Sequence, residues 1–168
     1  IISDLKGKTL NTFSSIDDTS YVKYEGAPPK KNILTSNKGI NRFVWDMRHS
    51  LLKGVPEVYI EGSFKGHKVI PGEYKVNLSY RDKSFEITSQ IIKNPMNSVS
   101  NRDYKLYDEF MTNTEKVYNE MSTMTNDFYK IKNQLNLLKT ELITAGKNKL
   151  AEDAQNLIFQ IKKWDNIM

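Results

Sequence analysis

Apolar residues recur at every second position through much of the first half of the chain and at every third or fourth position from about residue 100. The sequence therefore divides into a strand-forming part and a helix-forming part. Ile1-Ile2-Ser3 and Thr9-Leu10-Asn11-Thr12-Phe13 flank a polar segment containing Gly7, which predicts a hairpin. Tyr74, Val76, Leu78 and Tyr80 alternate with polar residues, Arg81-Asp82-Lys83 turns the chain, and Phe85, Ile87, Ser89 and Ile91 continue the alternation. This second hairpin has one apolar and one wet face, as in an antiparallel sheet packed on another sheet. Phe43, Trp45 and Met47 alternate with Val44, Asp46 and Arg48, so residues 39–48 read as a core strand. Trp45 then belongs to the core, and Asp46 and Arg48, on the opposite face, form a local ion pair or hydrogen bonds to neighbouring backbone. Residues 14–38 and 49–70 lose the alternation and read as long loops, with Val58-Tyr59-Ile60 as a short edge strand.

Asn94-Pro95 closes the strand region, and Ser100 followed by Asp103 predicts a helix start. No Gly or Pro interrupts the chain from there to Ile143, which implies a helix roughly 60 Å long. Its apolar positions are Phe110, Val117, Met121, Met124, Phe128, Ile131, Leu135, Leu138 and Leu142, with Thr114 as the polar exception, in the rhythm of a coiled-coil seam. Gly146 supplies a stop, and a second helix carries Leu150, Ala154, Leu157, Ile161, Trp164 and Met168. The pair reads as an antiparallel helical hairpin. A second helix of about 30 Å covers only the far half of the first, so Phe110, Val117 and Met121 need another partner. The candidates are the sheet region, a second copy of the chain, or further helices.

The expected fold class is thus α+β: an antiparallel Ig-like β-sandwich over residues 1–95, with loops at 14–38 and 49–70, followed by a helical hairpin over 96–168. The chain of 168 residues is long enough to bury a core without covalent staples. Cysteine is absent, which removes disulfides and thiolate metal sites. No apolar run approaches the roughly 20 residues of a membrane-spanning helix. The chain opens as though in mid-strand, without the basic and apolar regions of a signal peptide, and this predicts a piece of a larger protein. The net charge of +5 lies wholly in residues 1–99, where 15 Lys and Arg face 10 Asp and Glu. Its lysines are dispersed through turns and loops, so a solvated surface is expected and not a nucleic-acid partner.

No constellation of residues announces a reaction centre. His49 and His67, the two histidines, lie in loops without metal-ligand spacing and are expected to face solvent, so neither a metal nor a cofactor is expected. The acid pairs Asp17-Asp18 and Glu57/Glu61 lie where sequence fixes no separation, and solvation is the simpler role for them. There is no nucleophile elbow and no phosphate-cradling glycine loop. Tyr21, Tyr24, Tyr59 and Phe64 in the two long loops are candidates for a carbohydrate-stacking platform, against the alternative that they fold down as lids on the sandwich.

Three segments carry a family resemblance: Ile2-Ser3-Asp4-Leu5-Lys6-Gly7-Lys8, Gly39 through Arg48, and Pro71-Gly72-Glu73-Tyr74-Lys75-Val76-Asn77-Leu78. Together they resemble the carboxy-terminal region of large bacterial sialidase-like or sortilin-like propeller proteins of the glycosyl-hydrolase type. The resemblance implies an Ig-like sandwich, similar to flagellar-hook-capping domains, that follows a propeller and leads into helices. It also implies a secreted, periplasmic or cell-surface protein and the upstream propeller as the partner. It carries over no catalytic residue, because a family active site would lie in the propeller. A non-catalytic accessory module that docks on or stabilises the propeller is therefore the expected function. The alternatives are a carbohydrate-binding sandwich using the loop aromatics and a homo-oligomerisation module using the helix face of Phe110, Val117 and Met121.

Overall fold

The computed structural model describes the chain except Glu57, Tyr59 and residues 166–168; the side chains of Trp164 and Asp165 are also outside the description. The expectations resting on Tyr59, Met168 and the Trp164 side chain therefore lie outside the described residues, as does Glu57. The fold is α+β. Four strands, β1 (Ile2–Asp4), β2 (Thr9–Asn11), β3 (Gly72–Tyr80) and β4 (Lys83–Ile91), form one antiparallel sheet in the order β2-β1-β3-β4. Two helices follow, α1 (Asn101–Thr144) and α2 (Asn148–Asp165). No helix among the described residues is long and apolar enough to cross a membrane. The chain forms two compact units, Ile1–Glu120 and Met121–Met168.

In the first unit both hairpins form where the alternation places them. Arg81 takes a φ of 54° and lets β4 return along β3 in unbroken register, pairing Val76 with Ile87 and Leu78 with Phe85. Directly opposed residues share a face of the sheet, so Tyr74, Val76, Leu78, Phe85 and Ile87 lie on one side. That face is buried only at the Tyr74 end. There Ile2, Leu10, Val69 and Tyr74 make a small core, with Phe13, Trp45 and Ile91 packed against it. Toward the turn the same face is open, with Leu78 56% and Phe85 59% exposed.

The segment at residues 39–48 departs from expectation. It is irregular rather than a strand, and Ile40, Phe43, Val44 and Met47 are exposed. Met47 has a φ of 57°, which breaks the two-residue alternation just before Arg48. The turn lets the Trp45 indole N–H donate back to the Arg48 carbonyl at 2.9 Å. Trp45 still reaches the core, and Phe43 rests its ring on Phe13 at 4.6 Å, so the motif anchors the loop by two aromatic contacts. The expected pairing of Asp46 with Arg48 is a loose one at 4.0 Å, and the Arg48 guanidinium also donates to the Gly66 carbonyl at 2.9 Å.

Helix α1 begins on a reciprocal cap. The Asp103 N–H donates to Ser100 Oγ at 3.2 Å, while Asp103 Oδ2 accepts from the Ser100 hydroxyl at 2.7 Å and from its N–H at 3.2 Å. These hydrogen bonds hold the Asp103 carboxyl below its ordinary range. At the other end Gly146 adopts a φ of 70°, and the N–H groups of Gly146 and Lys147 close on the carbonyls of Ile143 and Leu142. That is the Schellman arrangement, and a residue without Cβ meets it at little cost.

The apolar seam read from the sequence is not the face that packs in the first half of α1. Phe110, Thr114, Val117 and Met121 are exposed, whereas Tyr104, Asp108, Met111, Glu115 and Tyr118 are at least partly covered. At 100° per residue, position 108 lies about 200° around the helix from position 110. Asp108 and Glu115 on this covered side contact His67. In the second unit Phe128, Leu135 and Leu142 of the expected seam are partly covered, while Met124, Ile131 and Leu138 of the same seam are exposed. On α2 Ala154 of the expected stripe is buried and Ile161 partly covered, whereas Leu150 and Leu157 are half exposed and their neighbours Ala151 and Ile158 are buried in their place. Lys139 of α1 donates to Gln155 of α2 at 2.5 Å.

Candidate functional site: a buried histidine and carboxylate cluster

The two histidines meet because two irregular segments pair. Arg48 bridges Lys68 in an antiparallel sense, the His49 N–H donates to the His67 carbonyl at 3.0 Å, and the Val69 N–H donates to the Met47 carbonyl at 2.9 Å. Residues 49 and 67 thus oppose each other, and their side chains leave on the same face. The segment at 47–50 is also tied to β2, where Asn11 Nδ2 donates to the Arg48 carbonyl at 3.1 Å and the Ser50 N–H to the Leu10 carbonyl at 3.0 Å. Gly66 permits the close approach. A Cβ at that position would lie 2.6 Å from the Ser50 carbonyl oxygen and 2.8 Å from His49 Cβ.

The imidazole rings stack with centroids 3.9 Å apart and planes inclined by 21°. Helix α1 supplies the acids: Asp108 and Glu115 lie two turns apart on one face. His67 Nε2 is 3.1 Å from Asp108 Oδ1, and His67 Nδ1 is 2.9 Å from Glu115 Oε1, although without hydrogen-bond alignment. Glu115 Oε1 instead accepts the backbone N–H of His67 at 2.6 Å. His49 Nε2 stands 3.8 Å from Asp108 Oδ1 and has no hydrogen-bond partner. Tyr107 closes the group edge-on to His67, with ring centroids 5.8 Å apart.

The His67 side chain is completely buried and that of His49 is 11% exposed. The expectation of solvent-facing loop histidines is overturned, because segment pairing and the acid-bearing helix enclose both rings. Burial depresses the pKa of His49, with the neighbouring His67 acting in the same direction and Glu115 and Asp108 opposing it. Burial thus favours the neutral form of the His49 ring.

Two cavities border the cluster. One of about 260 Å³ is lined by Lys6, Lys8, Tyr74, His49 and Asp108 among others. The other, of about 250 Å³, includes Phe13, Trp45, Arg48 and again His49. Tyr74 donates its hydroxyl proton to the Ile70 carbonyl at 2.6 Å, and burial, reinforced by Asp108 and Asp4, pushes its pKa up to about 12. His49, His67 and Asp108 each offer one ligand atom, all within 4.8 Å of one another, so these three residues have the reach to hold a cation.

The residues singled out from sequence lie elsewhere. Tyr21 is partly covered and its hydroxyl donates to the Pro28 carbonyl at 2.9 Å. Tyr24 is partly covered beside Gly54, and burial, with Tyr118 and Tyr21 nearby, raises its pKa. Phe64 is also partly covered. Asp17 is engaged by Lys30 at 2.5 Å, while hydrogen bonds from Ser20 hold the Asp18 carboxyl below its ordinary range, so these acids are committed locally. Glu61 is exposed. Phe110, Val117 and Met121 stand open on α1.

Sequence reasoning missed the histidine and carboxylate cluster because its members are separated along the chain and come from loops and a helix. One signal was present: Asp108 and Glu115 share a helical face with Tyr104 and Met111, a second amphipathic stripe hidden by the stronger Phe110 seam. No family model, no curated protein and no solved structure matches the chain.

Proposed function

We propose that the chain is a non-catalytic accessory module of a larger secreted or cell-surface propeller protein of the glycosyl-hydrolase type. In this reading an Ig-like sandwich and an antiparallel helical hairpin dock on the propeller of the same chain and brace it. The carrying observation is the open apolar face of the β3–β4 hairpin, where Leu78, Tyr80, Phe85 and Ile87 are 56–65% exposed. This strip continues the core face beyond Tyr74, as expected of a surface completed by a neighbouring domain. The resemblance of residues 2–8, 39–48 and 71–78 to the carboxy-terminal region of propeller proteins supplies the partner. Hydrogen exchange compared between the isolated module and the longer protein tests it. Amides of Val76–Ile87 exchange more slowly when the propeller is present; identical exchange in both proteins rejects docking through this face.

A second reading is self-association through α1, favoured by the exposure of Phe110 (68%), Val117 (55%) and Met121 (63%) along one stripe. Sedimentation equilibrium then shows a concentration-dependent dimer that Val117→Lys dissociates. A monomer at every concentration excludes this reading.

A further inference from the structure

We propose that His49, His67 and Asp108 form a binding site for one divalent transition-metal ion, with zinc as the cation their donors suit best. Two imidazole nitrogens and one carboxylate oxygen form a three-ligand set that Zn²⁺ accepts while keeping a fourth position for water. Asp108 Oδ1 is 3.1 Å from His67 Nε2 and 3.8 Å from His49 Nε2. Ligands bound at about 2.0–2.2 Å in a tetrahedron stand roughly 3.3–3.6 Å from one another. These two separations bracket that edge, and all three ligand atoms lie within 4.8 Å of one another.

Three further features fit the same assignment. His49 Nε2 is buried without a hydrogen-bond partner, and a buried polar nitrogen left unmet is costly unless something occupies it. Behind His67, on the side away from Asp108, Glu115 Oε1 lies 2.9 Å from Nδ1. A carboxylate in that place favours a proton on Nδ1 by its charge, although the contact is not aligned as a hydrogen bond and Glu115 Oε1 accepts the His67 backbone N–H. Finally, the cavity of about 260 Å³ is lined by both His49 and Asp108, which gives an ion and its water a path to the ligand atoms.

The stacked rings direct their nitrogen lone pairs almost side by side, so binding turns the His49 ring about its Cβ–Cγ bond until Nε2 points at the ion. His49 is the ring placed to do this, since it borders both cavities whereas the His67 side chain is fully enclosed. Binding uses the tautomer in which the one ring proton of His67 sits on Nδ1, beside Glu115, so that Nε2 offers a lone pair and, with Asp108 Oδ1, takes the metal.

The chain has two histidines, which makes the test direct. Untagged, chelator-stripped protein is titrated with ZnCl₂ while the ring resonances of both histidines are followed by NMR. At one equivalent both rings shift and saturate together, and the complex made with Co²⁺ shows the visible absorption of a four-coordinate centre. His49→Gln and Asp108→Asn each lose the bound equivalent, while Glu115→Gln weakens binding by about 10–100-fold without abolishing it. The proposal is overturned if neither ring moves, if only one does, or if His49→Gln binds zinc as tightly as the unaltered chain. The wild-type titration decides the matter even where a variant fails to fold.

Discussion

Glu115 Oε1 accepts the backbone N–H of His67 at 2.6 Å, so a helical side chain completes the hydrogen bonding of a residue whose carbonyl alone is met by the facing segment at His49. Replacing Glu115 by Ala leaves a buried N–H without an acceptor, which typically costs about 1–3 kcal/mol. Urea unfolding of the metal-free Glu115→Ala protein therefore shows a lowered midpoint with an unchanged slope. Glu115→Gln, which keeps an acceptor oxygen, recovers part of the loss. Equal midpoints for Ala and the unaltered chain would show that water replaces the carboxylate.

Gly66→Ala places a methyl group 2.6 Å from the Ser50 carbonyl, where backbone and not a flexible side chain must yield. Overpacking of this kind costs about 1–3 kcal/mol. The expected result is a lower thermal midpoint together with altered ring resonances of His49, because the same Cβ meets the His49 side chain. A midpoint matching that of the unaltered protein would contradict the tight packing of these two segments.

Tyr74 gives an alkaline limit to stability. Its pKa is raised from 10.0 to about 12, so the folded state holds the proton more tightly than the unfolded chain. The stabilisation is complete below pH 10 and is lost as pH rises from there toward 12, where the unfolded tyrosine ionises first. Stability measured between pH 9 and 12 falls in the parent protein and less steeply in Tyr74→Phe. The variant begins from a lower value because its hydrogen bond to the Ile70 carbonyl is gone.

The cap of α1 gives the opposite sign at acid pH. The Asp103 carboxyl is held below its ordinary value of 3.8 by Ser100, so its contribution is present above that value and disappears as pH falls through the lowered one. Amides of the first turn of α1 exchange faster in that acid range. Ser100→Ala removes the cap at all pH values, an effect of about 1 kcal/mol for N-caps generally. Unchanged first-turn exchange in Ser100→Ala would show that the helix start is held by other contacts.

Leu78→Ser with Phe85→Ser changes two exposed residues of one cross-strand pair. In the isolated module the cost lies within about 0.5 kcal/mol for each exposed site, while solubility improves. A loss of several kcal/mol would mean that this face is already packed within the module.

Local signals in the sequence were sufficient where a single segment decides its own structure. The β3–β4 alternation, the Ser100 and Asp103 cap and the Gly146 stop each rest on residues close in sequence, and each is realised. Where distant segments compete, the pattern misleads. Trp45 and Phe43 have strand-like spacing, yet Met47 turns the chain because Trp45 is held by Arg48 and the core. The Phe110 seam is the more apolar stripe of α1, but its first half is exposed and the covered side carries the carboxylates that meet His67. Nothing in the spacing of His49 and His67 reveals that a one-pair bridge between Arg48 and Lys68 brings their rings together.

Strand β4 ends the sheet order, and eight of its nine residues are exposed. A sheet boundary of this length presents a row of backbone donors and acceptors to water and is a template on which another extended chain can pair. Lys83 and Glu86 are the charged residues along it, and its remaining stretch from Ile87 to Ile91 is uncharged. An extended segment laid along this border would find backbone groups to pair with and, from Ile87 to Ile91, no charged side chain of β4 to oppose it.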